Sequence, residues 1–293
     1  MKFSIIVPNY NTDMSLITKS LKAQTFKDFE VIVVDDGSVK PIVSEFSVIR
    51  QANGGPGKAR ATGLACAKGD YVLFMDADDD IFQDTLEIFG QHDEDVIYSE
   101  ILEVGKNYTT QRNAKRMGCV YGVAYKRDFL LKNNITFAPL MQMEDVSFNT
   151  IVEYHNPTRK EIKQVTYKYI VTQGSITQTR DHKKTAVANM IKANLFVYDH
   201  TKDPYMTVKY LPFIFYNFMA VVDRMTEQEI REIFSLMYEW ERRTGTIQRI
   251  KTDTESRKLL DIMIPINKEA TIRQTGKPKD VITIEEFIEI IGE

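Results

Sequence analysis

The sequence predicts an α/β fold, with a doubly wound parallel sheet within residues 1–182 and a mostly helical region over residues 183–293. Three observations support this prediction. Short continuous apolar runs alternate with segments of helical periodicity up to residue 98, polar residues follow the strands directly, and only helical periodicity remains after residue 185. Strands that are buried on both faces lose their polar alternation, which is typical of a parallel sheet covered by helices.

The opening segment predicts a βαβ unit. Residues 3–7 and 29–34 are continuous apolar runs, and residues 15–24 carry apolar side chains at helical spacing. Because crossovers between parallel strands are right-handed, this unit starts a parallel sheet. The pattern then repeats, with predicted strands at 48–50, 71–75 and 96–98 and predicted helices at 58–67 and 84–89.

Strict alternation of strand and helix ends after residue 100. The next predicted strands lie at 120–125 and 165–171, and the next predicted helices at 127–133 and 146–154. A polar stretch at residues 179–184 marks the predicted domain boundary. Beyond it, the predicted helices occupy residues 186–198, 208–222, 227–242, 254–262 and 284–291.

The composition limits the kind of partner. The chain has 38 Lys and Arg against 41 Asp and Glu, a formal net charge of −3, so we expect no nucleic-acid partner. The two cysteines lack a metal-ligand spacing, and the sequence shows neither a leader nor an apolar run long enough to span a bilayer. The expectation is a cytoplasmic protein, with at most peripheral contact at the inner face of the membrane.

Polar clusters follow three of the predicted strands. In an open parallel sheet, ligands bind in the crevice beyond the carboxyl ends of the strands. We therefore predict a binding site where these clusters meet. They are Pro8-Asn9-Tyr10-Asn11, Asp35-Asp36-Gly37-Ser38 and Asp76-Ala77-Asp78.

The third cluster predicts a metal site. Asp76 and Asp78 are two residues apart, so in an extended segment both carboxylates project to the same side. Paired carboxylates favour Mg²⁺ or Mn²⁺, which would offset charge that develops on a departing nucleotide diphosphate. The alternative is an Asp cluster that only turns the chain and caps the next helix.

A glycine-rich segment, residues 51–60, runs into the N-terminus of a predicted helix. Its N–H groups and its two cations, Lys58 and Arg60, could meet phosphate groups. The segment has neither a phosphate-loop ending nor the dinucleotide-binding spacing. Taken on its own, the segment is interpreted as a plain loop, and phosphate binding is the alternative.

In their order along the chain, these motifs resemble those of glycosyltransferase family 2. The members of this family are inverting enzymes, and their nucleotide-diphospho-sugar transferase domain has the Rossmann-like GT-A fold. The resemblance covers about the first 180 residues, and the helical remainder matches no motif. It depends on the three clusters above together with Gln24-Thr25-Phe26, Asn53-Gly54-Gly55-Pro56-Gly57-Lys58-Ala59-Arg60, Ala67-Lys68-Gly69-Asp70 and Glu144-Asp145.

The resemblance implies roles for particular residues. Asp36 would accept a hydrogen bond from a uracil-like ring, Asp76 would approach the ribose or sugar, and Asp78 would ligate the metal. Ser175 and Thr177 would contact the diphosphate. The full set of implied nucleotide-sugar-binding residues is Pro8, Tyr10, Asp36, Asn53, Arg60, Asp76, Ala77 and Asp78.

Asp145 is the implied catalytic base. Direct displacement at the anomeric carbon needs a carboxylate that takes the proton of the acceptor hydroxyl, which contributes about 10² to 10⁴-fold in rate. Because Asp145 precedes a predicted helix, the alternative is a capping residue that complements the helix dipole.

The resemblance implies a metal-dependent hexosyl- or N-acetylhexosaminyl-transferase. It would move a sugar from a UDP-sugar to a hydroxyl of a glycan or lipid-linked saccharide, in the synthesis of a cell-surface polysaccharide. The apolar run at residues 210–222 is too short to span a bilayer. It is interpreted as a buried helix on the catalytic domain, with a homodimer interface and a contact to a lipid-linked acceptor as alternatives.

Two other functions stay open at this stage. A non-catalytic nucleotide-binding or scaffold protein could retain the same fold without its chemistry. A sugar-phosphate nucleotidyltransferase has a related fold, but it should carry a glycine-rich loop after the first strand. The segment Pro8-Asn9-Tyr10-Asn11 is not such a loop.

Overall fold

A computed structural model of the protein describes residues 1–171, 180–275 and 282–292. The chain divides into two compact units, Met1–Ser175 and Ile176–Glu293. The sequence-based division after residue 182 falls within the first described helix of the second unit, Arg180–Thr201.

The first unit is built on one mixed sheet. Its strands are β1 (Phe3–Asn9), β2 (Phe29–Asp35), β3 (Ser47–Arg50), β4 (Tyr71–Phe74), β5 (Asp80–Ile81), β6 (Val96–Val104), β7 (Thr109–Asn113), β8 (Val123–Lys126) and β9 (Arg159–Ile170). Its helices are α1 (Ser15–Lys22), α2 (Gly55–Cys66), α3 (Thr85–Gly90), α4 (Ala114–Met117), α5 (Arg127–Lys132) and α6 (Glu144–Tyr154). The strand order is β3-β2-β1-β4-β8-β6-β9-β5, and β7 pairs with β6.

The first four strands run parallel, as predicted, and the predicted fold class is confirmed. Strand β6 runs in the same direction as β4 but does not pair with it, because β8 lies between them and is antiparallel to both. A continuous apolar run signals burial on both faces of a sheet, but it does not reveal the direction of a strand. The sequence pattern does not predict β5, which is only two residues long, or β7, an exposed polar edge strand.

Helix α2 lies very close to the sheet. A Cβ atom at Gly63 would come within 2.4 Å of Ile6 on β1, so only glycine permits this approach. The helix begins at Gly55, three residues before the predicted start at 58, and Pro56 occupies its first turn. Proline suits this position because the first turn needs no N–H donor from it.

Helix α6 is anchored by an aromatic cluster. Phe148 on α6 stacks on Phe137 with 4.1 Å between ring centroids, and both rings pack edge-on against Phe74 of β4. Tyr125 of β8 completes the cluster. Buried aromatic rings bury a large apolar area, so this cluster fixes the helix relative to the strands that carry the site.

The second unit is helical. Its helices are α7 (Arg180–Thr201), α8 (Pro204–Met219), α9 (Glu227–Thr244), α10 (Thr246–Thr252), α11 (Thr254–Thr275) and α12 (Ile284–Ile291). Trp240 is fully buried and donates a hydrogen bond from Nε1 to Asn194 at 2.6 Å. Phe287 of α12 packs against Phe215 and Phe218 of α8. Much of the apolar run at 210–222 is therefore buried within this unit, and none of its described helices is long and apolar enough to cross a membrane.

Candidate active site

The turns that follow β1 and β2 are tied together. The Asp36 N–H donates to the Asn9 carbonyl at 2.8 Å, and the Asn11 N–H donates to the Ser38 hydroxyl at 2.9 Å. Pro8 lies near the end of β1, and Tyr10 beyond it is 51% exposed. The tyrosine ring is therefore available at the edge where the parallel strands end.

Asp36 is buried against the N-terminus of α2. Its carboxylate accepts hydrogen bonds from the N–H groups of Gly54 and Gly55, at 2.8 to 3.1 Å, and from the Gln51 amide at 2.7 Å. A helix N-terminus favours a negative group, so this carboxylate complements α2.

This geometry does not match the expectation that the glycine-rich segment binds phosphates through its N–H groups. Gly54 and Gly55 already donate to a protein carboxylate, and the Gly57 N–H donates to the Leu140 carbonyl at 3.2 Å. Asn53, one of the implied nucleotide-sugar-binding residues, is exposed beside these glycines.

Arg60 joins two acidic segments. Its Nη2 lies 2.7 Å from Asp76 Oδ1, and its Nη1 lies 2.6 Å from Glu144 Oε1. Arg60 is 5% exposed, and its guanidinium lies 5.9 Å from the centroid of the Phe137 ring. It was expected at phosphate groups, whereas here it pairs with Asp76, which follows β4, and with Glu144, which begins α6.

The two carboxylates stabilise the charged guanidinium of Arg60. Burial alone would lower the pKa of the guanidinium, but Asp76 and Glu144 outweigh burial and raise the pKa. A buried cation without partners would be strongly destabilising. The ion-pair network thus holds Asp76 next to the start of α6, where Asp145 stands.

Asp78 has the features of a cation ligand. Its pKa is raised by burial and by the charge of Asp76, and within the described residues no Lys or Arg forms an ion pair with it. A divalent cation would offset both effects. In the described part of the chain, no group of three or more His, Cys, Asp or Glu side chains is placed to hold a metal ion.

Two residues near Asp78 escaped the sequence analysis. Asp79 is 1% exposed and accepts a hydrogen bond from Tyr167 at 2.7 Å. Burial and the charge of Asp76 raise the pKa of Asp79 to about 8. The position of Asp79 as a third acid directly after Asp76 and Asp78 could have suggested it, but no sequence signal distinguishes Tyr167 from other strand tyrosines. The neighbouring Ala77 is buried.

Asp145 lies in the first turn of α6. The helix begins at Glu144, after Met143 in a left-handed conformation (φ 67°), so Asp145 is not the capping residue. Its Oδ1 accepts from the N–H of Val146 at 2.7 Å. Burial, and then the adjacent Glu144 carboxylate, raise the pKa of Asp145 to about 7. This value suits a general base near neutral pH. Ser175 and Thr177 lie outside the described residues.

Residues 4–150 match the family model described as glycosyl transferase family 2. The chain is 27% identical over 219 residues to the uncharacterized glycosyltransferase YibD of Escherichia coli, covering 60% of this chain and 63% of that protein. It is 31% identical over 206 residues to the poly(ribitol-phosphate) beta-N-acetylglucosaminyltransferase TarS of Staphylococcus aureus, covering 59% of this chain and 36% of that protein. The chain thus spans less than two thirds of the length of these relatives.

Solved structures support the same fold. A crystal structure of residues 1–349 of S. aureus TarS in complex with UDP superposes with a TM-score of 0.64 at 20% identity, covering 100% of this chain and 90% of that chain. The complex of the same protein with UDP-GlcNAc gives a TM-score of 0.64 at 19% identity, covering 94% of this chain and 93% of that chain. At this level of identity the likeness establishes the GT-A fold.

Proposed function

Because the chain belongs to glycosyltransferase family 2, we propose that it transfers a sugar, with inversion, from a nucleotide-diphospho-sugar to an acceptor hydroxyl. The observation that carries this proposal is the pairing of Arg60 with both Asp76 and Glu144. It joins the carboxylates after β4 to the helix that bears Asp145. One site therefore contains candidates for donor binding and for proton transfer.

The proposed donor is a UDP-sugar. Tyr10 offers an exposed ring for stacking on a uracil, and the nearby Asp36 carboxylate has acceptor capacity for a ring N–H. The structures of TarS with UDP and UDP-GlcNAc support this choice of nucleotide and make an N-acetylhexosamine the first sugar to test, with a hexose as the alternative.

Asp78 is the proposed ligand of Mn²⁺ or Mg²⁺, with Asp76 beside it. When bound, the cation would offset negative charge on the departing diphosphate. Asp145 would take the proton of the attacking hydroxyl, because its raised pKa keeps it basic enough to accept a proton and still largely ionised above neutral pH.

The proposed acceptor is a glycan or a lipid-linked saccharide, in the synthesis of a cell-surface polysaccharide at the cytoplasmic face of the membrane. TarS, named as a poly(ribitol-phosphate) beta-N-acetylglucosaminyltransferase, is a precedent for an acceptor of this general kind. Peripheral membrane contact and a homodimer through the helical unit remain parts of this proposal.

Calorimetry with UDP, GDP and CDP, with and without Mn²⁺, tests the donor site. We expect UDP to bind in a Mn²⁺-dependent way, and Asp78→Ala to abolish that dependence. Asp84→Ala is the matched control, since Asp84 is a nearby exposed carboxylate whose side chain makes no capping hydrogen bond. It should leave binding unchanged.

Turnover is tested separately through release of UDP from UDP-GlcNAc with water as the acceptor. Asp145→Asn should still bind UDP but lose turnover. Failure of all three diphosphates to bind would contradict the assignment of the site. Binding of UDP by a protein that never releases it from any UDP-sugar would favour the scaffold function instead.

A further inference from the structure

Tyr167 lies where β9 meets the carboxylate segment, which we define as residues 76–80 after β4. Its side chain is 1% exposed. Its hydroxyl accepts a hydrogen bond from the Asp76 N–H at 3.0 Å and donates one to Asp79 Oδ2 at 2.7 Å. One hydroxyl group therefore holds the segment on both sides of Asp78.

Strand β9 holds the rest of the carboxylate segment as well. The second oxygen of Asp79 accepts from the Ile170 N–H at 2.8 Å, and Lys168 forms an ion pair with Asp80 at 2.6 Å. The short strand β5 also pairs with β9. All of these contacts are made by residues of the segment that follow Asp78 in the sequence. The contact of Tyr167 with the Asp76 N–H holds the segment on the other side, before Asp78.

The ring of Tyr167 is itself held in one orientation. Tyr121 stacks on Tyr167 with 5.0 Å between ring centroids, and it stacks on Tyr169 with 5.4 Å. Tyr167 and Tyr169 are two residues apart on β9, so they lie on the same face and enclose Tyr121 between them. A ring packed in this way cannot swing without losing the stack, and its hydroxyl is therefore fixed in place.

We propose that Tyr167 is a positioning residue for Asp78: it fixes the backbone at Asp76 and the carboxylate of Asp79, so that Asp78 between them is presented to a divalent cation in one orientation. The binding of a cation at Asp78 rests on the proposed function, whereas the contacts of Tyr167 are independent of it. Groups that orient metal ligands through hydrogen bonds change metal affinity by about 10- to 100-fold when replaced.

A pair of Tyr→Phe variants isolates this role. Tyr167→Phe removes one oxygen atom but keeps the ring and its stack on Tyr121. Tyr98→Phe is the matched control, because Tyr98 is 3% exposed on the neighbouring strand β6 and donates its hydroxyl to the Glu153 carboxylate at 2.7 Å. Both variants lose a hydroxyl hydrogen bond to a carboxylate, but only Tyr167→Phe loses it at the carboxylate segment, together with the bond from the Asp76 N–H.

Two measurements compare the variants. Backbone hydrogen exchange over residues 75–81 reports whether the segment has loosened, with no metal required. Calorimetry with Mn²⁺ in the presence of UDP reports the metal affinity. We expect Tyr167→Phe to speed exchange in this segment and to weaken Mn²⁺ binding by about tenfold. Tyr98→Phe should do neither, at a similar melting temperature.

The outcomes separate this inference from the proposed function. The role of Tyr167 would be contradicted if hydrogen exchange over residues 75–81 were equally fast in the two variants. It would also be contradicted if both variants lost the same Mn²⁺ affinity. If the unsubstituted protein binds UDP identically with and without Mn²⁺, the role of the cation is contradicted in both proposals. The exchange comparison then still shows whether Tyr167 holds the segment.

Discussion

Arg60 and Glu144 are 84 residues apart in the sequence, yet their side chains form a buried ion pair with 2.6 Å between Nη1 and Oε1. The same guanidinium contacts Asp76 at 2.7 Å. Helix α2, the end of β4 and the start of α6 are joined through this one cation. The ion-pair network therefore supports both the fold and the geometry of the site.

Arg60→Met should lower the free energy of unfolding by about 3–5 kcal/mol, because it leaves the largely buried Glu144 carboxylate without its cation. Urea unfolding followed by circular dichroism measures this change. Arg231→Met is the control, since Arg231 forms an exposed ion pair with Glu227 on α9, and such pairs contribute little. Equal effects of the two substitutions would contradict a structural role for the network.

The pH dependence of turnover should report on Asp145. A general base acts only when it is deprotonated, so kcat/KM should rise with pH and level off above about 7, the value to which burial raises its pKa. Release of UDP from UDP-GlcNAc, measured from pH 5 to 9, tests this. Asp145→Asn should lower turnover by about 10² to 10⁴-fold and remove this rising limb. If kcat/KM still rises with pH in Asp145→Asn, the ionisation that controls turnover belongs to another group.

The same pKa predicts an effect on stability. The folded state holds the Asp145 proton more tightly than the unfolded state does, so the stability that this residue contributes is present below about pH 4 and is lost as the pH rises through about 7. Asp145→Asn should therefore melt at a higher temperature than the unsubstituted protein at pH 8. The difference should shrink or reverse at pH 4.5. A constant difference across this range would contradict the raised pKa.

Part of this site could be predicted from sequence because strand ends are easy to recognise. Continuous apolar runs predicted β1, β2 and β4, and the topology of a parallel sheet brings the residues after them to one edge. The sequence therefore predicts Asp36, Asp76 and Asp78 as site residues. Asp145 needed the family resemblance, since an acid in the first turn of a helix is common for other reasons.

The partners of these residues could not be predicted in the same way. Arg60 was expected at the nucleotide because it follows a glycine-rich segment, but its partner Glu144 is brought close only by the packing of α6 on the aromatic cluster. Tyr167 sits on β9, whose alternation is irregular, and it meets Asp79 through a pairing between distant strands. Long-range contacts of this kind leave no periodic signal in the sequence.

Asp36→Asn should impair both folding and nucleotide binding. The amide has one acceptor oxygen in place of two, so its NH₂ group would face an N–H donor of Gly54 or Gly55. We expect a loss of about 1–3 kcal/mol in unfolding free energy and weaker UDP binding. Gln51→Met removes a single donor to Asp36 and should have a smaller effect on both. An equal or larger effect of Gln51→Met would contradict this order.

Gly57→Ala tests the contact between α2 and the segment that leads into Asp145. A Cβ atom at Gly57 would lie 2.1 Å from the Ala138 carbonyl oxygen and 2.9 Å from the Glu144 Cβ, and backbone atoms cannot move aside without shifting the start of α6. We expect a loss of about 1–3 kcal/mol in unfolding free energy, together with lower turnover of UDP-GlcNAc. Gly90→Ala is the control, because a Cβ there meets nothing closer than 3.8 Å. Alanine at this helix position should be neutral or slightly stabilising. If both variants keep full stability and turnover, the close approach of α2 to this segment is not required for the site.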